Sequence, residues 1–170
     1  MSLMGKAPRK SRLRLPIGLA ILFAYSGLIL AVTLSPTQMD VNYQNAVLRL
    51  IEVLHRNGVP TWFGYGEIEF LANVGMFVPF GFIVAILLPQ RLSALTVLIG
   101  PGFSAFIEYF QGQFLSERVS SVYDIYANSA GAIIGFVLAA TLRAIVHSRD
   151  RKVVARAIWQ YEQGLRPTGR

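Results

Sequence analysis

The stretch EFLANVGMFVPFGFIVAILL, residues 69–88, decides the fold: after Glu69 it runs nineteen residues, Phe70 to Leu88, without a charge. A helix of about 20 apolar residues crosses the hydrocarbon core of a bilayer, so this stretch predicts a membrane span. Pro79 removes a backbone hydrogen bond, which predicts a kink that neighbouring helices can cover. Gly81, two residues on, is a place for close helix packing.

Three further runs match it. Pro16 to Leu34 is uncharged over 19 residues. A signal peptide has a shorter apolar region and a small-residue cleavage site, whereas this run ends in Leu34-Ser35-Pro36, so a retained anchor is expected. Leu92 to Phe110 contains Gly100-Pro101-Gly102, which predicts a break or a close helix approach. Val122 to Leu142 carries Gly131 and Gly135, a small-xxx-small pair that marks tight packing without requiring a function. The expected fold is all-α: an integral membrane bundle of four transmembrane helices.

Composition agrees. In 170 residues, 54% are apolar and 15% charged, and the mean hydropathy is +0.48, which excludes an ordinary soluble domain. The net charge of +7 does not indicate nucleic acid, because twelve of the sixteen basic residues lie in two tails, 1–14 and 143–170. The absence of cysteine removes disulfides, thiol catalysis and thiolate metal sites. Arg91 joins the tails as a thirteenth basic residue on one side; only Arg49, Arg56 and Arg118 fall on the other. The positive-inside bias therefore predicts cytoplasmic termini in a multi-pass protein of the cell membrane. A basic tail over 1–14, a membrane domain over 15–146 and a basic tail over 147–170 follow, the last with a short amphipathic stretch around Val153 to Tyr161.

The first outer loop, 35–68, has a structured centre. Val47, Leu50, Ile51 and Leu54 repeat at helical spacing, with Asp40 as N-cap and Asn57-Gly58 before Pro60 as a stop. An amphipathic surface helix is expected there, with Trp62, Phe63 and Tyr65 as interfacial aromatics.

Alternating span directions bring distant polar residues to one end. Glu69 opens the second span, Glu108 closes the third, and Asp124 opens the fourth; Asn73 and Asn128 lie one turn deeper, and Gln111 and Arg118 belong to the loop above. Carboxylates at helix ends also snorkel to the interface or favour a helix N-terminus, and amides often only join helices. The convergence of all seven points instead to a ligand-binding cluster in the outer leaflet. Its polarity stops in that leaflet, which argues against a transport path.

The motifs Glu69-Phe70-Leu71-Ala72-Asn73 through Pro79-Phe80-Gly81-Phe82, Ile107-Glu108-Tyr109-Phe110-Gln111, Arg118, and Asp124-Ile125-Tyr126-Ala127-Asn128 through Gly131 and Gly135 resemble the VanZ-like family over about residues 17–145. The resemblance implies a small bacterial multi-spanning membrane protein of the cell envelope, linked to antibiotic resistance through teicoplanin, with no established reaction. It implies as partners membrane lipids and a lipid-linked cell-wall precursor or glycopeptide, not nucleic acid. No cofactor and no metal are expected; the long basic tail departs from the family pattern.

Binding outweighs catalysis on the sequence. No Gly-x-Ser-x-Gly or HExxH motif occurs, His55 and His147 lie away from the cluster, and Ser116, Ser120 and Ser121 read as turn residues. The alternative is an intramembrane enzyme acting on a lipid-linked envelope precursor, with Glu108 and Asp124 as acid and base, or with Glu69 as oxygen ligands for a divalent cation. A structural subunit docking through the Gly131–Gly135 face is the third reading.

Overall fold

The computed structural model describes residues 13–34, 41–114 and 122–163. Among them the chain forms helices α1 (Arg14–Thr33), α2 (Val41–Arg56), α3 (Tyr65–Leu87), α4 (Thr96–Phe114) and α5 (Val122–Glu162), with a 3-10 turn over Ser93–Leu95 before α4. No strand occurs among the described residues. Four segments are long and apolar enough to cross a membrane: Leu15–Thr33, Tyr65–Leu87, Ser93–Phe114 and Val122–Glu162. The four expected spans are thus present, with shifted ends.

Those shifts have local causes. α3 starts at Tyr65 because Gly64 takes an extended N-cap conformation and the Glu67 carboxylate accepts its N–H at 2.7 Å. This is half of a capping box, since glycine supplies no side-chain cap. α3 continues through Pro79, and α4 through Pro101, so the expected break at Gly100-Pro101-Gly102 is realised only as a close approach. α2 ends at Arg56, and the expected stop follows at Gly58, whose φ of 93° is in the left-handed region that glycine adopts without a Cβ penalty. Its buried side is narrower than the sequence stripe: Val47 is buried and Ile51 and Leu54 half-buried, but Leu50 is exposed. Asp40 lies outside the described residues.

Helix α5 departs most from expectation. The residues after Leu142 continue the same helix to Glu162, so about 20 residues, roughly 30 Å, extend beyond the apolar part. Nothing in that stretch breaks a helix: Arg143 to Glu162 contains no glycine or proline.

In a bilayer the apolar environment does not itself drive helices together, so close packing and hydrogen bonds must. α3 and α5 run parallel and form the most extensive contact. A Cβ on Gly131 would collide with the Val74 carbonyl and one on Gly135 with the Val78 carbonyl, while Arg143 bonds the Ile86 carbonyl: the same 57-residue offset recurs along the pair. α4 joins them where Gly81 and Gly100 both close on Ala132, which is fully buried. Phe77, Phe80 and Phe103 fill the space beside this crossing, with the Phe80 and Phe103 rings stacked at 4.9 Å and 15°.

α1 lies antiparallel on α3. Gly18 meets Leu87 at one end, and the Tyr25 hydroxyl donates to the Met76 carbonyl at 2.8 Å further along. At the other end the Gln111 amide donates to the Thr33 carbonyl at 2.7 Å, tying α4 to α1. The bundle therefore has two chemically distinct ends. One gathers the close of α1 and α4 with the starts of α3 and α5; the other holds Arg143 and the end of α3.

Candidate functional site: a polar end in two layers

Of the seven polar residues expected to converge, the six that are described, Glu69, Asn73, Glu108, Gln111, Asp124 and Asn128, share one end of the bundle. They form two layers. The upper one is an open groove of about 610 Å³ between the starts of α3 and α5. Trp62, Phe63, Phe70 and Tyr123 supply its rings, Leu71 an aliphatic face, and Glu67, Glu69 and Asp124 its charges. Gly66 leaves the wall open, with nothing within 4 Å of where its Cβ would sit.

From the groove-lining Asp124 the polar contacts continue inward: the Asn73 amide donates to Asp124 Oδ1 at 2.8 Å, joining α3 to α5 across 51 residues of sequence. Asn73 and Asp124 are half-buried, while Glu69 is exposed in the second turn of α3 rather than at its first residue. A side-chain bond between helices is favoured here because each partner would otherwise face a poor solvent for polar groups.

The lower layer is buried. Glu108 is 7% exposed, Gln111 6% and Asn128 3%. Gln111 sits inside α4, not in the loop as expected, because α4 runs to Phe114. Asn128 donates through Nδ2 to Ser104 Oγ at 2.9 Å, joining α5 to α4. Its Oδ1 is buried and has no hydrogen-bond partner among the described residues. A buried acceptor left in that state costs about 1–3 kcal/mol. Glu69 and Glu108 each take part in a hydrogen bond or electrostatic interaction.

Arg118 lies outside the described residues, as do Ser116, Ser120 and Ser121. Among the described residues no group of three His, Cys, Asp or Glu side chains is placed to hold a metal ion. Pro79 is exposed on α3, whereas Gly81, Gly131 and Gly135 are buried where helices touch.

Four participants escaped the sequence reading. Ser104 is one turn before Glu108, and Thr96, Gly100, Ser104 and Glu108 share a buried face of α4 at four-residue spacing. That period was the available signal. Glu67, just before the second apolar run, and Tyr123, the second residue of the fourth, also line the groove. Arg143, counted only as a tail charge, donates from Nη2 to the carbonyls of Ile86 and Leu88 at 2.8 Å each and so closes the C-terminal end of α3.

A family model described as VanZ/LLP1 matches residues 22–143. The chain belongs to the VanZ/LLP1 family. It is a multi-pass membrane protein of that family, with the helical bundle to match. The VanZ/LLP1 region begins within α1 and ends at the α3-capping Arg143, so it includes both polar layers and leaves out the distal part of α5. No curated protein and no solved structure matches the chain.

Proposed function

We propose that this VanZ/LLP1 protein binds an amphiphile of the bacterial cell envelope, a cell-wall-related lipid or a glycopeptide, in the groove at the polar end of its bundle. In this reading the protein lies in the cell membrane with the groove facing outward. Both termini are cytoplasmic, where the basic tails follow the positive-inside bias. Helix α2 rests on the outer membrane surface, and ligand capture alters teicoplanin susceptibility.

The observation that carries the proposal is the groove itself. It combines four aromatic rings and Leu71 with three carboxylates, and Phe70 and Leu71 remain exposed on a helix apolar enough to span. That is the lining expected for a ligand with one apolar and one polar part. Glu69, Asn73, Asp124 and Arg118 contact the ligand in this reading; Glu108, Gln111 and Asn128 support them from below.

The test is teicoplanin susceptibility in a strain lacking the protein, complemented with wild type, Asp124→Asn or Glu69→Gln at equal membrane levels. Protection by wild type, reduced severalfold in both variants, is the expected result. Equal protection by all three would remove the groove from the function, and no protection by wild type would remove the glycopeptide role.

A further inference from the structure

The distal part of α5 is left over by the membrane bundle. At about 1.5 Å per residue its 41 residues run about 61 Å, twice the hydrocarbon thickness of a bilayer, so the part beyond Arg143 extends past the span. Every residue from Ala144 to Trp159 is exposed. A free helix of that length is only marginally stable in water, and a partner covering one face stabilises it.

The packed part of α5 shows which face is open. Asn128, Gly131, Ala132, Gly135 and Ala139 are buried at helical spacing, and Arg143 continues their line to the end of α3. Past α3 the same spacing runs on through Val146, Asp150, Val153 and Ala157, with Val154, Ile158 and Tyr161 beside them. These apolar side chains meet no neighbour: Val153 is 64% exposed and Ile158 54%. Arg149 and Arg156 border the stripe on one side and Arg151 on the other. Among the described residues none of these three arginines forms a salt bridge.

Charge selects the occupant. A second copy packed in parallel would bury Asp150 against its own counterpart and join two helices that each carry five basic and two acidic residues over 143–162. The chain's own tails are no better: residues 1–12 hold four basic residues and 163–170 two, with no acidic residue in either. A lipid surface is out of reach. Arg149 and Arg156 lie about 9 and 20 Å beyond Arg143 along the helix, whereas attraction to anionic headgroups fades over a Debye length of about 8 Å.

We propose that the distal part of α5 docks an acidic amphipathic helix of a soluble protein. The apolar side of that helix covers Val146, Val153, Ala157 and Ile158, and its carboxylates pair with Arg149, Arg151 and Arg156. It lies in line with α3, past Leu88. This docking needs no ligand in the groove.

For the test, the full chain is placed in phosphatidylcholine nanodiscs. The probe is a fluorescent helical peptide about three heptads long, with leucine at its a and d positions and glutamate at e and g; a counterpart carries lysine instead of glutamate. Anisotropy is expected to show the glutamate peptide binding at least about tenfold more tightly than the lysine one. Arg149→Glu and Val153→Glu should each weaken it by about tenfold. Ser148→Glu combined with Ala155→Glu makes the same charge change as Arg149→Glu on the opposite side of the helix, and should leave binding unchanged. All four positions are exposed and outside the span, so the bundle folds in every variant.

Equal binding of both peptides would overturn the acidic partner. Equal weakening by Arg149→Glu and by the combined Ser148 and Ala155 changes would mean that only net charge is read, and would overturn the docking face. No binding of the glutamate peptide would overturn the proposal as well, and a dimer dissociated by Val153→Glu in sedimentation would then put a second copy on the stripe. Loss of peptide binding in nanodiscs containing phosphatidylserine would assign the helix to the lipid surface instead.

Discussion

Gly131→Ala is the most direct test of how this bundle is held together. The added methyl would sit 2.8 Å from Phe77 Cβ and 3.0 Å from the Val74 carbonyl carbon, and nearer still to that carbonyl's oxygen. Ordinary carbon–carbon contacts are about 3.5–4.0 Å, so α3 and α5 must separate by about 1 Å. They have little freedom to do so. Asn73 holds Asp124 on one side of the glycine, and Arg143 holds the Ile86 and Leu88 carbonyls on the other. The obstacle is backbone, which cannot rotate away as a flexible side chain can. The expected loss is about 2–3 kcal/mol, the upper part of the range for overpacking. Gly75→Ala is the matched control: it lies in the same bundle with nothing within 4 Å of its Cβ position. It should be neutral or add up to about 1 kcal/mol through helix propensity. Unfolding of purified protein by sodium dodecyl sulfate, followed by circular dichroism, measures both. Equal midpoints for Gly131→Ala and Gly75→Ala would refute the parallel, glycine-mediated contact.

Two further substitutions probe the hydrogen bonds. Ser104→Ala deprives the buried Asn128 amide of its described partner and should lower stability by about 1 kcal/mol, in line with interhelical bonds in membranes, measured by the same unfolding assay. Arg143→Ala should cost about 1–2 kcal/mol by freeing the last carbonyls of α3, with Arg143→Lys recovering only part because an ammonium lacks the planar fork; hydrogen exchange should rise first around Ile86 to Leu88.

The distribution of polar residues explains why the bundle has one chemically rich end. Glu69, Asn73, Asp124, Asn128, Ser104, Glu108 and Gln111 occupy the same side of the Gly81–Ala132–Gly100 crossing. That crossing is packed too closely to admit a side chain, so the buried amides are separated from the Arg143 end by apolar contacts.

The sequence by itself determined the four spans, the helix in the first connection and the gathering of Glu69, Glu108 and Asp124 at one end. These depend on local quantities: the length of an apolar run, a glycine after a helix, and the alternation of direction from span to span. It also marked Gly131 and Gly135 as packing positions. Tertiary structure alone decided the rest. Whether Asn73 meets Asp124, Asn128 meets Ser104 and Gln111 meets Thr33 depends on the rotation of each helix about its axis, which span length does not constrain. The groove between Trp62 and Tyr123 needs the parallel register of α3 and α5, and that register is set where the Gly131 and Gly135 backbones approach the carbonyls of Val74 and Val78. Hydrophobicity places a helix in the bilayer, but close packing and hydrogen bonds choose its neighbour and its facing side.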